Sequence, residues 1–399
     1  MEKFTSIEWL KIDIANAYGM DKLLFKDRLS WFKKERTNLS KLTPEEPCRA
    51  YAGLKALEKA ERNEPIGYMV GLDATSSFAQ MQGILLSDVK ACLLSNVIFE
   101  DERKDIYTYL YKKVLEKVPN CPSHITRSEI KKVIMQYFYG GQKTPKEVLG
   151  EDIFEKFEEV MREELPLCCF LREYMLNSWD PTASEYTWVL PDNFHVCVNV
   201  EASMKESFTF KGKSFNSYYK VKAPAKTGRS LGPNFIHSVD GFILREMVAR
   251  CHFDQNKIDS LRKVQYSKPK VINLNENTLK NYKTINILLD LGKKSGYYSI
   301  RLLDFIDEST YSLVPKDILE SLLKSLPAKS FDISTIHDCF FCHPNYVNDM
   351  REQYRQCLIS LAKSNLIEFC FKDLFKNPNF TFIKQDISEY VAQEEYAIC

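Results

Sequence analysis

Apolar residues return at helical spacing through the first part of the chain. Trp9, Leu10, Ile12, Ile14 and Ala15, then Leu23, Leu24, Leu29, Trp31 and Phe32, predict helix over residues 5–36. Residues 46–61 are rich in Ala, Leu, Lys and Glu, all good helix formers, and predict another helix. IGYMVGLD (66–73) reads as a buried strand ending in an acid. Helical patterning resumes over 78–118 and again over 146–178. Between them, residues 126–139 form a helix with readable ends. Thr126 and Glu129 make a T-x-x-E capping box, and Gly140-Gly141 offers the left-handed conformation that stops a helix. From 185 to 222 the period changes to two: Tyr186, Trp188 and Leu190, then Phe194, Val196, Val198 and Val200, alternate with polar neighbours. Residues 255–328 read as an inserted helical module without a chemical motif. FDISTIHDCFF predicts strand, tight turn and strand, with Asp338 at the tip.

Composition narrows the class. At roughly 150 residues per domain, 399 residues predict two or three domains. The 44% hydrophobic and 13% aromatic content excludes a disordered chain, and only 14 glycines argue against repeat or low-complexity architecture. A net charge of +1 excludes a uniformly basic coat but not a local track. One stretch, 204–230, carries Lys205, Lys211, Lys213, Lys220, Lys222, Lys226 and Arg229 against Glu206 alone, so the rest of the chain is net acidic. Phe208, Phe210, Phe215, Tyr218 and Tyr219 interleave with these cations, and Gly212 sits where a hairpin tip would. Such a ribbon suits nucleic acid, because cations track phosphates while rings reach bases. A solvated edge hairpin guarded by lysines carries the same pattern. The opening MEKFTSIEW has no apolar signal segment, so the twelve cysteines read as reduced thiols of a cytoplasmic protein. No apolar run approaches the ~18 residues that span a bilayer, so no membrane partner is expected.

Three places could carry chemistry. Asp73, at a strand end before Ala74-Thr75-Ser76-Ser77, could ligate a metal or cap the next helix. Arg127, Lys131, Met135 and Tyr139 are spaced by four, so the first three share a helix face. Two cations at i and i+4 repel each other, and a polyanion such as a triphosphate would justify them. A solvated basic face is the plain alternative. His337-Asp338 precedes Cys339-Phe340-Phe341-Cys342-His343, a literal C-x-x-C-H. Haem attachment needs an exported, oxidising setting. A zinc site lacks a second ligand pair, and a Cys339 nucleophile lacks partners from distant segments.

Taken in order, these segments resemble the single-subunit phage and mitochondrial RNA polymerases. Motif A corresponds to Asp73-Ala74-Thr75-Ser76-Ser77 with Gln80. Motif B corresponds to Thr126-Arg127-Ser128, Lys131, Met135 and Tyr139-Gly140, and motif C to His337-Asp338. WLKIDIANAYGMDKLLFKDRLSW (9–31) resembles the helices before motif A. Trp188-Val189 with Pro191-Asp192 and Phe194 resembles W-V-x-P-D-x-F, and Pro233-Asn234-Phe235-Ile236-His237-Ser238 with Asp240-Gly241 resembles P-N-F-V-H-S-x-D-G. The last string is not shared with family A DNA polymerases. The resemblance covers about 5–250 and 330–360.

It implies an α+β right-hand polymerase, helix-rich with a small antiparallel palm sheet. Palm entry helices and motif A would occupy 1–98. Fingers with motif B and a specificity hairpin (201–229) would occupy 99–235, more palm 236–254, a helical insert 255–328, and palm with motif C 329–399. Asp73 and Asp338 would bridge two Mg ions, with the Ala74 carbonyl as a further ligand. Arg127 and Lys131 would hold the triphosphate, and Lys131 would also serve as a proton donor to pyrophosphate. Tyr139 and His237 would meet the incoming nucleotide, His337 would orient the catalytic turn, and Lys205, Lys211, Lys213, Lys220, Lys222 and Arg229 would contact nucleic acid. Two departures stand out: Phe78 replaces a usual glycine, and Cys339 a usual serine. Only 72 residues precede Asp73, and the family's D-x-x-G-R segment is not found in them. The resemblance therefore implies the catalytic large subunit of a heterodimeric, N4-like phage RNA polymerase acting in an infected bacterial cytoplasm. Its partners would be a small subunit supplying the missing part, a DNA template, ribonucleoside triphosphates, the RNA product and a single-stranded-DNA-binding recruiting factor. A DNA polymerase or primase, and a non-catalytic nucleic-acid-binding subunit, are the rival readings.

Overall fold

The computed structural model describes residues 1–141, 143–264 and 276–399, so residues 265–275 of the expected insert lie outside the described residues. The fold is α+β, helix-rich with small antiparallel sheets. The chain divides into two compact units. Unit 1 holds residues 1–106, 240–365 and 384–399, and unit 2 holds 107–239 and 366–383.

Unit 1 opens with α1 (Ser6–Ala15), α2 (Phe25–Glu35) and α3 (Pro47–Glu61). The predicted helix over 5–36 is therefore two helices, parted by a π-helical turn at Asn16–Met20 in which Gly19 takes φ +83°. A capping box at Thr5 and Glu8 starts α1. Strand β1 (Val70–Asp73) leads into α4 (Ser77–Leu86) and α5 (Val89–Leu94). The helical stretch expected over 78–118 breaks twice: between α4 and α5, where Ser87 takes φ +55° and Asp88 caps α5, and between α5 and α6 (Ile106–Lys117), where Asn96 takes φ +60°.

Unit 2 continues with α7 (Arg127–Phe138), α8 (Lys143–Leu149), α9 (Glu151–Glu164) and α10 (Pro166–Asn177). Two hairpins follow. One joins β2 (Glu185–Val189) to β3 (His195–Asn199), the other β4 (Glu201–Phe210) to β5 (Lys213–Lys222). The long helix α11 (Leu231–Cys251) begins in unit 2 and ends in unit 1. Around Trp188 and Phe235, 6.1 Å apart, the core of unit 2 is aromatic; Phe371, from α16 (Leu366–Leu374), meets Phe235 at 5.0 Å, edge to face.

The rest of unit 1 contains α12 (Gln255–Arg262), α13 (Glu276–Ser295) and α14 (Lys316–Ser325), whose apolar faces share a separate core with Ile300, Leu303 and Ile306. Then come β6 (Ile333–Ile336), β7 (Cys339–Cys342), α15 (Val347–Lys363) and, after α16, the short α17 (Ser388–Val391). The sheet order is β1-β7-β6, all antiparallel. Trp9, Phe4 and Phe25 pack edge to face under this region, and Tyr396 stacks on Phe25 at 4.6 Å. These rings bury large apolar areas in geometries their quadrupoles favour.

Candidate active site and nucleic-acid interface

The predicted site residues fall into two groups, one within each unit. In unit 1, β6 and β7 are joined by a two-residue turn, His337-Asp338, with His337 at φ +54°. Non-glycine residues rarely adopt that region, so the turn is a strained and specified feature. Asp73 pairs with Cys339 across the β1–β7 ladder, and the Ala74 N–H donates to the Asp338 carbonyl at 3.2 Å. The register thus sets the two acids beside each other at one end of the sheet. Asp73 is exposed and Asp338 half-buried, whereas the strand leading to Asp73 is buried.

The electrostatics converge on the same point. Burial, with the Asp73 and Asp338 charges, pushes the Cys339 thiol up to about 12. A third acid, Asp240 on α11, is pushed up to about 6, first by burial and then by the charge of Asp338. An acidic cluster of this kind attracts a cation. The available donors are hard oxygens: two carboxylates and the Ala74 carbonyl. That set fits Mg, which binds through one or two carboxylates and completes its shell with water and substrate phosphates. Among the described residues no group of three or more His, Cys, Asp or Glu side chains gathers to hold a metal ion. Cys339 and Cys342 are three apart on one strand and so point to opposite faces, which prevents the C-x-x-C string from gripping a single ion.

The chain's last residues form the other side of this site. Asp73 and Cys399 exchange backbone hydrogen bonds, and the Thr75 N–H donates to the Ala397 carbonyl at 3.0 Å. Gln80, fully buried, locks this arrangement: its Nε2 donates to the Ala397 carbonyl (2.8 Å), the Ser95 carbonyl (3.1 Å) and Thr75 Oγ1 (3.1 Å). Tyr354 Oη donates to its Oε1 at 2.7 Å. Sequence reasoning did not single out residues 396–399; nothing in YAIC marks a site. Phe78 is 5% exposed, so its ring belongs to the core and offers a nucleotide little surface.

In unit 2, α7 carries the cations. Thr126 Oγ1 accepts the Glu129 N–H, while the Glu129 carboxylate meets Lys132 at 2.7 Å, so the expected capping box is formed by its Thr126 half. Arg127 Nε donates to Thr108 Oγ1 at 2.7 Å, and Lys131 Nζ lies 4.9 Å over the Tyr107 ring. Both cations therefore lean on the first turn of α6, which the sequence did not flag. Gly140 ends the helix at φ +74°, and a Cβ there would lie 3.0 Å from the Arg229 carbonyl. Tyr139 and His237 meet edge to face at 4.9 Å, and burial lowers the His237 pKa, favouring the neutral ring. The W-V-x-P-D-x-F and P-N-F-x-H-S strings meet where Trp188 Nε1 donates to Ser238 Oγ at 3.0 Å.

The β4–β5 ribbon turns through Lys211 (φ +49°) and Gly212 (φ +73°), as a tight two-residue hairpin demands. Most of its cations and most of its rings separate onto opposite faces, though the sequence interleaves them. Met204, Phe208 and Phe210 share one face with Phe215 and Tyr219, and Phe208 stacks on Phe215 at 5.6 Å. Lys205, Lys220 and Lys222 share the other face with Tyr218. Lys213 is on the ring face and Lys211 at the tip. Arg229 lies off the ribbon and donates to the Gly140 carbonyl at 3.4 Å. Lys220 pairs with Glu201 at 3.0 Å and Lys222 with Glu185; exposed pairs of this kind are weak and exchange readily for phosphate.

All twelve cysteines are free thiols, and no helix among the described residues is long and apolar enough to cross a membrane. With 24% identity over 318 residues, the chain is similar to the DNA-directed RNA polymerase of Pseudomonas phage phiKMV; the match covers 63% of this chain and 39% of that protein. The family model described as DNA-dependent RNA polymerase matches residues 4–180, a stretch that contains Asp73, Ala74, Arg127, Lys131 and Tyr139.

Proposed function

We propose that this chain is a nucleotidyltransferase subunit that carries out DNA-templated RNA synthesis. The observation that carries the reading is the β1–β7 register, which sets Asp73 and Asp338 side by side at the sheet end. The similarity to phage DNA-directed RNA polymerase supports it. Asp73, Asp338 and the Ala74 carbonyl would hold Mg. When bound, two such ions supply charge neutralisation at the attacking 3′-hydroxyl and the leaving pyrophosphate. Arg127, as a planar fork, and Lys131, as a point charge, would bind the triphosphate, and Lys131 would also give pyrophosphate a proton. Tyr139 and His237, which meet edge to face, would form a paired aromatic surface for the incoming nucleotide. The ribbon would track nucleic acid, with Lys205, Lys211, Lys213, Lys220 and Lys222 on phosphates and Arg229 near the nucleotide end of α7.

A second polypeptide that completes the polymerase, and a single-stranded-DNA-binding recruiter, belong to the same proposal by resemblance. Full activity of the purified chain by itself would remove the first of them. Primer extension with matched ribo- and deoxynucleotides, run with and without host or phage partner fractions, tests the whole. Asp73→Asn and Asp338→Asn should each abolish synthesis while sparing template binding. Synthesis by both variants would refute the assignment, and a clear deoxynucleotide preference would favour a DNA polymerase.

A further inference from the structure

Strand β1 has two edges. The peptides of Val70 and Leu72 face β7, and the Ala74 N–H continues that ladder to the Asp338 carbonyl. Gly71 and Asp73 turn their N–H and C=O groups the opposite way, because successive residues of a strand alternate. At Asp73 this second edge is taken by Cys399, through bonds of 3.4 and 3.0 Å. At Gly71 it is met by two side chains. The Gly71 N–H donates to Asp13 Oδ1 at 3.4 Å, and Arg49 Nη2 donates to the Gly71 carbonyl at 3.1 Å. Arg49 also binds Asp13 directly, through Nη2 and, at 3.4 Å, through Nε. The Tyr68 hydroxyl donates to Asp13 Oδ2 at 2.5 Å. One carboxylate and one guanidinium, from α1 and α3, thus do for Gly71 what a neighbouring strand would do.

We propose that Asp13 and Arg49 are positioning residues for Asp73: they clamp the peptide two residues before it and so fix where its carboxylate stands. This rests on the reading of Asp73 and Asp338 as ligands of a divalent cation. Asp13 is fully buried, and a buried ion pair is a poor source of stability compared with apolar packing. What the pair supplies, and an apolar pair lacks, is a donor and an acceptor aimed at one peptide. A side chain at Gly71 would have to displace Phe341, since a Cβ there would lie 2.3 Å from its ring.

The test uses the full chain with Mn2+ as the probe, counted by electron paramagnetic resonance of the free ion. Asp73→Asn should abolish the tight site; retention of that site overturns the metal reading, and this proposal with it. Asp13→Asn and Arg49→Met should weaken Mn2+ binding by about tenfold or more, as loss of a supporting partner around a metal ligand does. Arg49→Lys should stay weak, because a point charge cannot bridge the carboxylate and the Gly71 carbonyl together. Glu246→Gln is the control for stability. It breaks another buried pair of unit 1, Glu246 with Arg250 Nε at 3.8 Å, and should lower the melting temperature without changing Mn2+ affinity. Hydrogen exchange at Gly71 and Asp73, run without metal, should quicken in Arg49→Met and not in Glu246→Gln. Faster exchange with unchanged Mn2+ affinity, or equal Mn2+ losses in the control, would overturn the positioning role.

Discussion

The chain's last residues are held against Asp73 by a carboxylate that should resist ionisation, and this makes their attachment depend on pH. Glu394 is 2% exposed, and its Oε1 accepts the Ala397 N–H at 2.6 Å. Burial pushes its pKa from the ordinary 4.5 up to about 7, against the opposing pull of Arg351. An acid with a raised folded pKa favours the folded state fully below its unfolded pKa. Between about 4.5 and 7 the unfolded chain has released the proton while the folded chain keeps it, so stability falls as pH rises through that window. At about 1.4 kcal/mol per unit, the loss is about 3 kcal/mol. Glu394→Gln keeps an acceptor for Ala397 and cannot ionise. Denaturant melts of the wild type and the variant at steps from pH 4.5 to 8 should start nearly equal and diverge, the variant gaining about 3 kcal/mol by pH 8. Taking the difference removes other titrating groups such as Asp240. Exchange at Ala397 and Cys399 should slow in the variant at high pH only. A difference independent of pH would refute the reasoning, because it would mean that Glu394 ionises alike in both states.

Three further outcomes follow from particular contacts. Thr126→Ala removes the cap of α7 and should cost about 1 kcal/mol in thermal melts, with faster exchange over residues 127–130. Gly71→Ala should cost about 1–3 kcal/mol by overpacking against Phe341, and Phe341→Ala in the same chain should return part of it in a double-mutant cycle. On the ribbon, replacing Lys205, Lys211 and Lys213 with Ala should lower the slope of log affinity against log salt for duplex DNA by about 2–3. Phe208→Ala should weaken single-stranded DNA binding with that slope unchanged, because a stacking ring releases no counterions.

What could be read from the sequence is what is local. Thr126, the Gly140 stop, the alternation through 185–222 and the turn at Gly212 are decided by neighbours a few residues apart, and they appear where expected. The two acids could be named because Asp73 ends an apolar strand and Asp338 tips a tight turn between two strands, but their adjacency is a property of register: Asp73 opposite Cys339 joins positions 266 residues apart. The ribbon shows the limit more sharply. Its cations and rings alternate irregularly in the sequence, and only the register that pairs Phe208 with Phe215 sorts most of them onto opposite faces. The clamp on Gly71 left one trace that the motif reading passed over, Asp13 within WLKIDIANA. A buried carboxylate must find donors. Nothing nearby said that the partner was Arg49, or that the pair would bind the strand carrying Asp73, because those contacts exist only once α1, α3 and β1 are packed. Contacts built from the backbone of one strand and the side chains of two helices are therefore what motif strings pass over.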